Sequence, residues 1–143
     1  MKARTQARAV ALQVLYEVDM VNHSPVEAFQ ARLEETPLVP ELQEFARQII
    51  FGVLPLRARL DAVIARYAPE WPLEQISAID RNILRMAVWE FAVSGQTPIK
   101  VAINEAVELA KEFGSDSASR FVNGVLGSLA SNENEICQAL RSE

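Results

Sequence analysis

Apolar residues recur along the chain every three or four positions, which is the spacing that places them on one face of a helix. This pattern predicts helices over about 3–21, 26–36, 41–54, 56–67 and 77–93, followed by two more between 100 and 130. A short polar segment at 133–140 predicts an eighth. Prolines fall at the joints, where a fixed φ and a missing N–H cost little. No alternation with a period of two is long enough for a strand, so the expected fold is all-α.

The stretch from Lys100 to Leu126 predicts two helices joined by a tight polar turn. Gly114 is expected to end the first helix, because only glycine enters the left-handed conformation without steric cost. The second helix has candidate capping oxygens in Ser115, Asp116 and Ser117. The turn therefore directs the N-terminus of a helix outward.

Composition indicates one globular domain without catalytic chemistry. The 143 residues are half apolar, with no run long enough to span a membrane and no signal-peptide pattern. The single cysteine, Cys137, excludes an internal disulfide and fits a reducing cytoplasm. The chain has a single histidine, His23, so its sequence shows no metal-binding cluster or catalytic pair. It also has no glycine-rich phosphate loop or other cofactor motif. We therefore expect a binding protein and not an enzyme.

The charge is unevenly distributed. The net charge is −5, yet residues 1–16 hold Lys2, Arg4 and Arg8 without any acid, which leaves −8 for the remainder. A basic segment on an acidic body suggests one local contact with an anion. The same three charges are also compatible with an ordinary solvated helix end.

Four segments resemble one known family, and they occur in its order. They are ARAVALQVLY at 7–16, DRNILR at 80–85 followed by Trp89 and Glu90, PIKVAINEA at 98–106, and INEAVELAK with RFVNGVL between 103 and 126. Together they closely resemble the NusB family of bacterial transcription antitermination factors. The resemblance covers essentially the whole chain and is weakest between about residues 22 and 45. It implies two packed helical sub-bundles over 1–131 and leaves 132–143 as a polar tail.

The first helix carries the first group of candidate RNA contacts. Arg8, Leu12 and Tyr16 form a ridge away from the core stripe, so Tyr16 would stack on a base while Arg8 pairs with a phosphate. Periodicity alone favours a helix buried on two sides, with Leu12 and Tyr16 in a second core. The NusB resemblance favours RNA, because the family's arginine-rich N-terminal helix is an RNA contact. It implies contacts from Lys2, Arg4, Arg8, Gln13 and Tyr16.

The turn before the last long helix carries the second group. The free N–H groups of a helix start, with the hydroxyls of Ser115 and Ser117, form a ready anion site. Phe113 and Phe121 would flank an unstacked base, and Arg120 would reach a phosphate. Ordinary capping with two core phenylalanines is the alternative. The resemblance implies that this turn lies on the RNA face, with Asn123 beside it.

The resemblance also implies protein partners. In the family an acidic surface on the central helix receives the small ribosomal protein NusE, which implies Asp80 and, more loosely, Glu74 as contacts. A solvated face with ordinary charge pairs is the alternative. The sequence leaves a homodimer open.

The expected function is therefore a cytoplasmic RNA-binding factor. With NusE it would bind the boxA element of ribosomal RNA leader transcripts and help RNA polymerase read through terminators. Two alternatives are a protein adaptor with little RNA binding and the RNA-binding domain that accompanies a ribosomal RNA methyltransferase. The chain is too short to hold the methyltransferase as well.

Overall fold

The computed structural model of the chain describes residues 2–71 and 75–141. Within those ranges it contains α-helices and no strand, which confirms the expected all-α fold. The helices are α1 (Ala3–Val21), α2 (Pro25–Glu35), α3 (Pro40–Val53), α4 (Arg57–Tyr67), α5 (Ala78–Val88), α6 (Ile99–Phe113), α7 (Ala118–Ala130) and α8 (Glu133–Arg141). A 3₁₀ turn at Leu54–Leu56 connects α3 to α4. None of the described helices combines the length and apolarity that crossing a membrane requires.

Helix starts follow from local chemistry. The hydroxyls of Ser24 and Ser77 accept backbone N–H groups in the first turns of α2 and α5, which satisfies donors that have no partner inside the helix. Pro25 and Pro40 occupy the first positions of α2 and α3, where proline's fixed φ suits a helix and its missing N–H is not needed. The prolines therefore mark the joints, as the sequence predicts.

The predicted helix over 77–93 changes character near its end. After α5 the chain forms a π-helical turn, Trp89–Ser94, which closes when the N–H of Gly95 donates to the carbonyl of Glu90 at 3.2 Å. Gly95 has a φ of 67°, in the left-handed region that favours glycine. The turn places Glu90 in the interior and leaves Trp89 partly exposed. Single π turns of this kind occur frequently at functional sites.

Helix α1 lies at the centre of the packing. It contacts α2 and α3 on one side and α5 on another, while α6 packs against both α5 and α7. This arrangement gives the two sub-bundles that the sequence predicts. Leu12, which the sequence places outside the core stripe, is completely buried. Helix α1 is therefore buried on two sides along much of its length.

The turn between α6 and α7 differs in detail from the prediction. Gly114 has an extended backbone, with φ −92° and ψ −178°, so it does not adopt the left-handed conformation. Glycine is needed there for space, since a Cβ would overlap the Cβ of Ala118 and approach the carbonyl of Ala110 to 2.8 Å. Ser117 precedes α7 without a capping side-chain bond, and the carbonyl of Ser115 instead accepts the N–H of Ala118 at 3.0 Å.

The segment assigned to a polar tail at 132–143 is packed as far as the structure describes it. In α8, Ile136 and Leu140 are buried. Arg141 donates to the carbonyl of Ala92 at 2.7 Å, which ties α8 to the π-helical turn. Although this segment is mostly polar, it contains two apolar residues at helical spacing, and these two residues pack α8 against the core.

Two glycines make room for the two tryptophans of the chain. A Cβ at Gly52 would overlap the indole of Trp89, and one at Gly124 would come within 3.2 Å of the indole of Trp71. The close neighbour of Gly124 is therefore an aromatic ring and not a backbone. In each sub-bundle an indole lies directly against a helix backbone.

Candidate nucleic-acid interface

The start of α1 presents two exposed cations. Lys2 and Arg4 are both exposed, and neither forms an ion pair with any residue in the described ranges. The guanidinium carbon of Arg4 lies 4.7 Å from the centre of the Phe45 ring, an arrangement that orients a cation without neutralising it. Both charges remain available to an anionic ligand.

Arg8 has a different environment, and its expected position on the surface is wrong. Its residue surface is only 4% exposed. The guanidinium donates to Glu90 at 2.7–3.1 Å and to Glu105 at 2.9 Å. Burial by itself lowers the pKa of Arg8, but hydrogen bonds and charge from Glu90 and Glu105 outweigh it and raise that pKa. Because these carboxylates occupy the guanidinium, Arg8 is an internal structural cation and not a free phosphate ligand.

The outer part of the predicted ridge on α1 is on the surface. Tyr16 is 38% exposed and Gln13 is half-buried, one turn earlier on the same helix. Leu12, the middle residue of the ridge, is buried in the core. The ridge is thus divided, with Arg8 and Leu12 inside the protein and Tyr16 accessible.

The turn between α6 and α7 borders a surface pocket of about 440 Å³. Phe113 and Phe121 line it and are half-buried, while Ser115 and Ser117 are exposed at its edge. The ring of Phe121 meets Trp71 edge to face at 5.3 Å, which fixes its orientation. Arg120 and Asn123 are exposed on the first turns of α7. The turn therefore offers two partly accessible rings, two hydroxyls and one cation within a short segment.

Asp80 lies beneath this turn, and its expected position on an outer acidic surface is wrong. It is 8% exposed, and its Oδ1 has no hydrogen-bond partner among the described residues. That oxygen would lie 3.1 Å from a Cβ placed on Gly114. Burial raises the pKa of the Asp80 carboxyl, and a hydrogen bond with Ser77 opposes the shift. Glu74, the looser partner prediction, lies outside the described residues.

A hollow of about 660 Å³ extends from the first group of candidate residues toward the second. It extends from Lys2 and Thr5 on α1 along α6 to Glu112, the residue before Phe113. Its other lining residues are Asn104, Glu105 and Glu108. The hollow therefore leads from the start of α1 to the C-terminal end of α6, next to the turn before α7, over a surface that carries carboxylates.

Sequence reasoning missed the acidic partners of Arg8. Glu105 accepts from Arg8 at 2.9 Å and from the hydroxyl of Thr5 at 2.7 Å. Glu90 directly precedes the core residue Phe91, and a carboxylate buried there requires a cationic partner. The spacing of 82 residues between Arg8 and Glu90 hides the pair from any local pattern.

Comparison with known proteins is consistent with this architecture. Residues 5–131 match the model of the NusB family. The transcription antitermination protein NusB of Roseiflexus sp. (strain RS-1) is 47% identical over 134 residues, covering 92% of this chain and 94% of that protein. Crystalline NusB from T. maritima is 30% identical with a TM-score of 0.82, covering 94% of this chain and 96% of that one.

A second solved structure shows a related chain with its ligands. It is a crystal structure of the antitermination factors NusB and NusE in complex with double-stranded RNA, and it matches with a TM-score of 0.83 at 26% identity. The match covers 92% of this chain and 98% of that chain. The family model, the relatives and the shared fold agree, and this chain belongs to the NusB family.

Proposed function

We propose that this protein is an RNA-binding transcription antitermination factor that acts by binding and not by catalysis. The observation that carries the proposal is the hollow that leads from the free cations of α1 to the end of α6, where the Phe113–Phe121 turn begins. A related NusB was solved together with NusE and RNA, which supports the same pair of partners for this chain. The protein would act in the cytoplasm, where nascent transcripts are available.

The candidate residues divide by chemistry. Lys2, Arg4 and Arg120 supply charge to phosphates, because they are exposed. Phe113, Phe121 and Tyr16 supply rings for unstacked bases, which is how proteins usually recognise single-stranded RNA. The remaining polar candidates are Gln13, Ser115, Ser117 and Asn123, which have groups for hydrogen bonds to bases or to the backbone.

Few cations and several nearby carboxylates favour weak binding by the isolated chain. Glu112, for which the described residues contain no ion-pair partner, lines the hollow along α6 and repels phosphates, whereas Glu108 is paired with Lys111 at 3.5 Å. NusE would supply a second contact to the same strand, so that the second engagement becomes effectively intramolecular. The pair would hold the boxA element of a ribosomal RNA leader and join the antitermination complex on RNA polymerase.

The test is a binding measurement with boxA RNA and a scrambled RNA, with and without NusE, at two salt concentrations. The proposal predicts a preference for boxA that increases with NusE, and a shallow decrease of affinity with salt, as expected for few phosphate contacts. A protein adaptor with little RNA binding is the second candidate, and the carboxylates along α6 favour it. Equal binding of boxA and scrambled RNA in every mixture would select the adaptor.

A further inference from the structure

We propose that the groove between α3 and the π-helical turn binds unpaired nucleotides that flank the main RNA contact. This groove lies beyond the face formed by α1, α6 and α7, and it extends the path of the strand past Arg4. The inference rests on the proposed function, because it requires RNA already held at the start of α1.

The groove is continuous with the exposed cation of Arg4. It has a volume of about 490 Å³. Its walls are formed by Arg47, Gln48, Phe51 and Gly52 from α3, and by Trp89 and Gln96 from the π-helical turn and the loop after it. A smaller hollow next to it is lined by Arg4 and Phe45 and shares Gln48, Trp89 and Gln96 with the groove. A strand held at Arg4 therefore lies beside the groove, and it would enter the groove over the surface of the shared residues.

The groove has the chemistry that unpaired bases require. Phe51 is 37% exposed, and Trp89 is partly exposed while its indole is held against the backbone of Gly52. Rings fixed in this way suit base stacking, which is tolerant of sequence because every base has a π-face. Gln48 and Gln96 are exposed amides with both donors and acceptors for base edges.

Charge favours this route over the hollow along α6. In the groove and the adjoining hollow, Glu44 is paired with Arg47 at 3.3 Å, and Glu90 is buried against Arg8 at 2.7 Å. Each carboxylate is therefore neutralised by an arginine and repels an RNA strand only weakly. The hollow along α6 instead exposes Glu112, for which the described residues contain no ion-pair partner. Flanking nucleotides that continue from Arg4 over α3 therefore meet less repulsion than the part of the strand that crosses α6.

The experiment measures how much affinity flanking nucleotides add to boxA RNA in the presence of NusE. One set of RNAs carries only boxA, and two sets carry about six additional unpaired nucleotides at either end, within the usual site size of a single-strand-binding groove. For the wild-type chain we expect extension at one end to strengthen binding by roughly five-fold or more. Phe51→Ala should abolish this gain and leave the affinity for unextended boxA unchanged, whereas Phe51→Tyr, which keeps the ring, should retain the gain.

A fluorescence measurement supplies a readout at the groove itself. In a Trp71→Phe variant, Trp89 is the single remaining tryptophan, and we expect the extended RNA to quench its emission more strongly than unextended boxA does. The proposal is overturned if the Phe51→Ala variant keeps the gain in affinity from the extended RNA. It is also overturned if Phe51→Ala loses NusE binding while its RNA affinities stay unchanged, because the groove would then bind a protein. Failure of the wild-type chain to bind boxA at all would instead overturn the proposed function.

Discussion

Arg8 and Glu90 form a buried ion pair in which Nη2 of the arginine lies 2.7 Å from Oε1 of the glutamate. The pair joins the first helix to the π-helical turn, and Glu105 binds the same guanidinium from α6. Three elements that are distant in sequence are thereby fixed around one charge. Because Arg4 lies one turn before Arg8 on the same helix, this network also sets where the exposed cations of α1 emerge.

We predict that Arg8→Ala destabilises the fold strongly. Removing one partner of a buried ion pair leaves the other charge uncompensated, and the usual loss is about 3–5 kcal/mol in the free energy of unfolding. Arg8→Lys should also be destabilising, because an ammonium cannot reproduce the forked hydrogen bonds to Glu90 and Glu105. Chemical denaturation followed by circular dichroism measures the effect.

Arg4→Ala is the matched control for that measurement. Arg4 is exposed and its contact with Phe45 is of the kind worth about 0.5–1 kcal/mol at a surface. An Arg8→Ala chain that is as stable as the wild type but fails to bind RNA would return Arg8 to the RNA-binding set.

Helix positions could be read from the sequence because they depend on local signals. Apolar spacing and the prolines at Pro25 and Pro40 act within a few residues, and the structure agrees with them, whereas the predicted cap at Ser117 does not form. The accessibility of a side chain depends on what packs against it from elsewhere. The i, i+4, i+8 ridge of Arg8, Leu12 and Tyr16 gave no sign of the elements that cover its first two members.

The candidate site shows the same division. The turn at 113–121 could be located from Gly114 and the polar residues after it, since they interrupt two apolar helices. The reason for Gly114 was hidden, because it comes from the close approach of Ala118 within the turn and of Asp80 from α5, and not from backbone strain. The burial of Asp80 was hidden for the same reason. Residue type located the site, but long-range packing decided which side chains are accessible in it.

We predict that Lys2→Ala and Arg4→Ala each weaken RNA binding without changing sequence preference. Contacts to phosphates carry charge and little sequence information. Each substitution should reduce the slope of log affinity against log salt by about one unit. Arg66→Ala is the matched control, because Arg66 is an exposed arginine on α4 that lies over Tyr67. Affinity titrations at several salt concentrations check the result, and an equal loss in the Arg66 variant would indicate a general charge effect and no local contact.

We predict opposite effects of alanine at two helical glycine sites. In Gly114→Ala the new Cβ would overlap Ala118, and overpacking of this kind usually costs about 1–3 kcal/mol. In Gly127→Ala the Cβ meets open space within α7, so higher helix propensity should stabilise the fold by about 0.5–1 kcal/mol. Thermal unfolding of both variants measures the difference. A stable Gly114→Ala chain would show that α7 shifts readily and that the turn is not held by close packing.

We predict that Asp80 and Asp19 give opposite pH dependences. Burial raises the pKa of Asp80, so its contribution to stability is present below pH about 3.8 and is lost as the pH rises through the raised pKa. Burial also acts to raise the pKa of Asp19, but its contacts with Asn82, Arg57 and Arg85 outweigh it and lower that pKa. The stability from Asp19 is therefore present above about 3.8 and lost as the pH falls through the lowered value. Unfolding free energies should be measured across a pH series. As the pH rises, the stability of Asp80→Asn relative to the wild type should increase, and the stability of Asp19→Asn relative to the wild type should decrease. Parallel curves for Asp80→Asn and the wild type would mean that the carboxyl beneath Gly114 is solvated in the folded protein.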